Sequence, residues 1–210
     1  MTATIDRIMR TAPVIPVLVL DDALDPVALA ETFVAAGLPV IEVTLRTSNA
    51  LDAIRAMAKV PGAIVGAGTV LDEAQLAQAV DAGSRFLVSP GLTNRLALAA
   101  RDSKVPYLPG VTTASDIMRG LELGLDRFKF FPAESSGGIP ALKALAAPFR
   151  DVRFCPTGGI RADTAADWLA LEPVLCVGGS WLVQPESKLE EIANRAQTAS
   201  ALGSFNGGAR

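Results

Sequence analysis

Hydrophobic and polar positions along this chain follow two periods that take turns. Short apolar runs at Val14–Leu20, Val40–Thr44, Ala63–Ala67, Phe86–Ser89, Val105–Leu108, Arg127–Phe130, Val152–Cys155 and Val174–Val177 read as strands. Longer Ala- and Leu-rich stretches of helical character separate them. The runs recur about every 20–25 residues, the spacing of βα units. Helix ends are marked as well. Asp25 can cap a helix that opens with Pro26 and closes at Gly37, the usual Pro-first, Gly-last asymmetry. Asp72 opens LDEAQLAQAVDAG, which ends at Gly83. Thr113 and Asp116 have capping-box-like spacing ahead of Ile117–Leu123, and Gly124 follows. Met1–Arg10 reads as an extra N-terminal helix and Ser187–Ala201 as the last one.

Eight β/α repeats without a long linker predict a single-domain (β/α)₈ TIM barrel over residues 1–201, with 202–210 a mobile tail. An open doubly wound sheet is the competing fold. It would place a phosphate loop after the first strand, where LDDALDP has no glycine.

Composition narrows the chemistry. The chain carries a net charge of −3 and no Lys/Arg cluster, so neither nucleic acid nor a membrane surface is an expected partner. The N-terminus lacks an apolar signal core, and Val14–Leu20 is too short to span a bilayer. Cys155 and Cys176 each lie in an apolar run and read as reduced core residues of a cytoplasmic protein. The sequence has no histidine. That removes Ser–His and Cys–His nucleophiles and His-ligated zinc, leaving Lys, carboxylates, hydroxyls, backbone groups or an oxygen-ligated metal.

A barrel of this kind carries its chemistry at the C-terminal ends of the strands. The unusual segments fall there: IEVTLRT, GAGT, VSPG, LPGVTT, FKFFPAE, PTGG and VGGS. Strand parity then orders the side chains. Phe128 and Phe130 share one face, leaving Lys129 on the other; Ile41 and Val43 share one face, leaving Glu42 and Thr44 opposite. The outer face is covered by helices and wants apolar groups, so Lys129 and Glu42 should point inward. A buried salt bridge would explain such a pair structurally. Stability alone does not require it, because burying two charges carries a desolvation penalty. A lysine among phenylalanines suits attack on a ketone, and the resulting iminium is an electron sink for carbon–carbon cleavage without metal or cofactor. A nearby carboxylate supplies the proton transfers. Arg46 could hold a substrate carboxylate in bidentate fashion, though its spacing equally suits a surface arginine.

Two glycine pairs, Gly158-Gly159 after Thr157 and Gly178-Gly179 before Ser180, follow the last two strands. Barrels often bind phosphate there with backbone N–H groups. Gly66-Ala67-Gly68-Thr69 resembles a dinucleotide fingerprint only superficially.

Taken together, VTLRT with its preceding Glu42, VGAGTVL, SPGLT, PGVTT, FKFFPAE, FCPTGGI and VLCVGGSWLV resemble the 2-keto-3-deoxy-6-phosphogluconate (KDPG) aldolase family, whose members often also cleave 2-keto-4-hydroxyglutarate (KHG). The likeness runs from about Val14 to Trp181, with FKFFPAE and FCPTGGI its most specific parts. It implies that Lys129 forms the Schiff base and Glu42 is the general acid/base. It sets Arg46, Thr69, Pro90, Phe131 and Thr157 around the pyruvate moiety, and Gly158, Gly159, Gly179 and Ser180 at the phosphate. The implied reaction is the reversible cleavage of KDPG to pyruvate and glyceraldehyde 3-phosphate, the Entner–Doudoroff step, by a homotrimer. Its partner is a small phosphorylated 2-keto acid.

Three other readings compete. The epimeric galactose-derived substrate, or KHG, could be the main one. A metal-dependent aldolase would need a carboxylate pair at strand ends, where Glu42 stands alone and Asp21 and Asp22 are a remote option. A non-catalytic phosphate-binding barrel, serving as sensor or scaffold, would have no reason to keep Lys129 inside.

Overall fold

The structure is a computed structural model describing residues 4–21 and 24–202. Asp22 and the tail past Leu202 lie outside the described residues. Among the described residues eight parallel strands form one sheet in the order β7-β6-β5-β4-β3-β2-β1-β8. They are β1 (Val14–Leu18), β2 (Val40–Thr44), β3 (Ile64–Gly68), β4 (Leu87–Ser89), β5 (Tyr107–Val111), β6 (Arg127–Phe130), β7 (Arg153–Pro156) and β8 (Val177–Gly179). Bridges Phe154↔Val174 and Thr157↔Gly178 bring the two edges together, so the expected (β/α)₈ barrel closes.

The sequence signals place most elements, and the capping residues act as expected. Asp25 accepts from the Val27 amide to start α2 (Pro26–Ala35). Asp72 accepts from Gln75 at α4 (Glu73–Asp81), and Thr113 with Asp116 forms a full capping box at α6 (Ala114–Glu122). Burial alone would raise the Asp116 carboxyl, but the Thr112 and Thr113 amides and the Thr113 hydroxyl hold it below the ordinary carboxylate range. Two strands differ from expectation. β5 continues through Pro109 and Gly110, and β8 begins at Val177 and contains Gly178 and Gly179. In both, packing overrides a weak local preference. A Cβ on Gly178 would overlap Thr157, and one on Gly179 would lie 2.7 Å from the Trp181 ring.

The core divides by strand parity. Outward residues such as Ile41, Val43, Val65, Leu87, Phe128, Phe130 and Phe154 join the helices in the large outer cluster. Inward residues Ile15, Val40, Phe86, Val88, Leu108, Cys155 and Cys176 form a second cluster with Ile8 and Met9 of α1 (Ile5–Met9). α1 therefore plugs the barrel from below. Asp6 secures it to the N-terminal end of β6, accepting from Arg127 Nε at 2.6 Å. Each large apolar side chain so buried contributes roughly 1.5–3 kcal/mol.

Candidate active site

Above the apolar plug the barrel interior becomes polar. Lys129 Nζ donates to Glu42 Oε1 at 2.9 Å, with side chains only 7% and 4% exposed. β2 and β6 are four strands apart around the sheet, so this contact is possible only across the barrel interior. Both side chains point inward, as parity predicts.

Glycines make the space. Gly68 lies beside Glu42, and any Cβ there would overlap the carboxylate and come within 2.7 Å of Glu42 Cγ. A Cβ on Gly66 would lie 2.5 Å from the Phe86 ring, and one on Gly110 would overlap the Pro90 carbonyl. Inward glycines on β3, β5 and β8 thus leave the upper interior room that bulky side chains fill in the lower half.

The remaining candidates surround this pair at the C-terminal end. Phe131 sets its ring 5.3 Å from Lys129 Nζ. Thr157 is buried on the wall after β7, its Oγ1 3.8 Å from Cys155 Sγ. Thr69 follows β3 with a left-handed φ of 57°, unusual for a β-branched residue and typical of functional sites. Pro90 follows β4 in a loop held by Ser89, whose hydroxyl donates to the Gly91 carbonyl and shares a 2.6 Å hydrogen bond with Tyr107. Arg46 is exposed two residues past β2. Among the described residues no hydrogen bond joins Arg46, Thr69 or Pro90 to the pair.

The first glycine pair occupies a loop with φ of 102° at Gly158 and 82° at Gly159. The Ala133 amide donates to the Thr157 carbonyl at 2.8 Å, and the Glu134 amide to the Gly158 carbonyl at 3.0 Å. A trans peptide points its N–H opposite to its C=O. The Gly158 and Gly159 amides therefore face away from residues 133–134. Such paired donors form a cradle for an anion. The second pair lies in β8, a departure from the expected loop, so Gly179 is packed and only Ser180 is exposed. Ser180 borders a cavity of about 430 Å³ lined also by Val17, Leu20, Asp21 and Gln184.

Cys155 and Cys176 are free and buried in the inner apolar cluster, the core positions their apolar runs suggest. A hydrogen bond with Cys155, burial and nearby negative charge push the Cys176 thiol well up, which makes it a packing group and not a nucleophile. One contact escaped the sequence reading: Glu134 accepts from Trp168 Nε1 at 3.0 Å, a link between residues far apart in sequence. Among the described residues no cluster of His, Cys, Asp or Glu is set to hold a metal, and no helix is long and apolar enough to cross a membrane.

Fold and site define a (β/α)₈ barrel with a buried amine–carboxylate pair at the C-terminal end of its strands and a glycine-paired loop beside it. The family model for KDPG and KHG aldolase matches residues 5–197. A 2-dehydro-3-deoxy-phosphogluconate aldolase of Zymomonas mobilis is 57% identical over 200 residues, covering 94% of this chain and 96% of that one. The structure of the Zymomonas mobilis ZM4 KDPG aldolase with 3-phosphoglycerate superimposes with a TM-score of 0.93 at 55% identity, covering 96% and 97% of the two chains. That of Legionella pneumophila, with pyruvate captured as a covalent carbinolamine, gives 0.90 at 41% identity, covering 95% and 100%. The chain belongs to the KDPG and KHG aldolase family.

Proposed function

We propose that this protein is a Schiff-base aldolase that reversibly cleaves KDPG to pyruvate and D-glyceraldehyde 3-phosphate. The observation that carries this reading is the 2.9 Å contact of Lys129 with Glu42 inside the barrel. Lys129 attacks the C2 ketone. Glu42 moves the protons as the carbinolamine forms and loses water to give the iminium. It then takes the proton from the C4 hydroxyl while the C3–C4 bond breaks. The electron pair passes into the iminium as an enamine, and glyceraldehyde 3-phosphate leaves. Protonation at C3 and hydrolysis release pyruvate and restore Lys129.

Phe131, Thr157, Thr69 and Pro90 surround the pyruvate end, with Arg46 supplying its guanidinium to the substrate carboxylate from the β2 loop. The Gly158 and Gly159 amides hold the phosphate with Gly179 and Ser180. A carbinolamine of pyruvate in the Legionella pneumophila relative supports the covalent route. KHG, which lacks phosphate, is a second substrate, in keeping with the family description. The sensor or scaffold reading leaves the buried lysine unexplained. In this reading the enzyme is cytoplasmic and trimeric, and a subunit contact would cover exposed apolar side chains such as Leu71, Met118 and Leu121; sedimentation measures the latter.

The test is pyruvate release from KDPG with and without EDTA. Undiminished activity supports the metal-free route, and loss on chelation would replace it with a metal-dependent one. In the same assay Ser180→Ala should raise KM for KDPG more than for KHG; equal changes would remove its phosphate role.

A further inference from the structure

The Gly158–Gly159 cradle is braced from behind by a residue with no part in the chemistry above. Glu134 holds that loop in three ways. Its amide donates to the Gly158 carbonyl at 3.0 Å. Its stem packs on Gly159, where a Cβ would come within 2.7 Å of Glu134 Cβ and 2.8 Å of Cγ. Its carboxylate accepts from Trp168 Nε1 at 3.0 Å. Trp168 is fully buried and lies 6.3 Å, ring centre to ring centre, from Phe130, the strand neighbour of Lys129. A rigid indole thus fixes a carboxylate that would otherwise be free to move at the surface, and the carboxylate's stem fixes the glycine loop.

Both glycines have positive φ and no side chain, so the loop has little stiffness of its own. We infer that Glu134 is a positioning residue: through its bond to Trp168 it holds the Gly158 and Gly159 amides in the geometry that receives the substrate phosphate, and so sets the preference for phosphorylated keto acids. The inference rests on the phosphate reading given above. It also has a sign that separates it from simple electrostatics. Glu134 is negative and sits behind an anion site, so its charge alone would weaken phosphate binding. Removing it should then tighten binding if charge were its only effect. A brace predicts the opposite, because an anion site that must be ordered on binding loses affinity.

The experiment measures KM and kcat for KDPG and KHG, and competitive inhibition by inorganic phosphate, in wild type, Glu134→Ala and Glu134→Gln. Glu134→Ala keeps the main-chain bond to Gly158 and removes only the side-chain brace. It should raise KM for KDPG by about tenfold, the scale of one lost hydrogen bond to a charged group, and weaken phosphate inhibition in parallel. Its kcat and its KM for KHG should stay near wild type. Glu134→Gln retains an oxygen for the indole N–H and should restore most of the KDPG affinity. Tighter phosphate binding in Glu134→Ala, equal changes for both substrates, or a Gln variant as impaired as Ala would each overturn the brace while wild-type phosphate inhibition keeps the phosphate reading intact. Absence of phosphate inhibition in the wild type would remove the phosphate reading itself, and the brace with it.

Discussion

The lower and upper halves of the barrel interior are built from opposite materials. Toward the N-terminal ends of the strands, Ile15, Val40, Phe86, Val88, Leu108 and both cysteines meet Ile8 and Met9 in a dry plug. Toward the C-terminal ends, Glu42, Lys129 and Thr157 are buried among glycines that leave space beside them. Both halves belong to the same eight strands, so the difference is not a property of the backbone. The lower half does what a barrel needs to stay folded. The upper half carries a desolvation cost that folding does not require, and this separates stability from chemistry within about one turn of the strand pleat.

If that separation holds, the two halves should respond to mutation in opposite ways. The largest effect should come from replacing the pair together. Lys129→Met with Glu42→Leu should lower aldol cleavage by roughly 10,000-fold or more. Its thermal or urea stability should be unchanged or raised by about 1–4 kcal/mol, since an apolar replacement of a buried ion pair is often stabilising. A large loss of stability would show that the pair is structural. Conversely, Ile8→Ala in the plug should cost about 2–5 kcal/mol of stability while the folded enzyme keeps its kcat. Gly68→Ala probes the boundary: its Cβ would displace the Glu42 carboxylate. We expect kcat to fall about 10- to 100-fold with a small stability change, the scale of a misplaced catalytic group.

The smallest effect concerns Tyr107, on the outer wall and in neither half. Burial raises its phenol to about 12, partly offset by the Ser89 hydrogen bond. The folded state thus favours the neutral form more than the unfolded chain does. That stability is complete below pH 10 and is lost as pH rises toward 12. The loss should amount to about 2 kcal/mol across that window. Urea denaturation of wild type and Tyr107→Phe at pH 9 and 11.5 checks it, and the Phe variant should lack this limb.

Much of this arrangement was legible in the chain. Period-two parity alone turned Lys129 and Glu42 inward, because their strand neighbours are large and apolar and must meet the helices. Asp25, Asp72 and Thr113 announced helix starts through local hydrogen bonds that act over two or three residues. Where the cause was distant, sequence failed. Pro109–Gly110 and Gly178–Gly179 look like strand terminators, and the close approach of Pro90, Thr157 and Trp181 that leaves no room for a Cβ at these glycines comes from residues no local pattern reports. Glu134 likewise reads as a surface glutamate before a glycine turn. Its partner Trp168 is 34 positions away, and no local pattern reports such a contact.

The most direct measurement is borohydride reduction in the presence of pyruvate, followed by peptide mass analysis. The proposed chemistry predicts one reduced pyruvyl adduct per chain, located on Lys129, with catalytic activity lost in proportion to labelling. An unmodified protein, or an adduct on any other lysine, would contradict it.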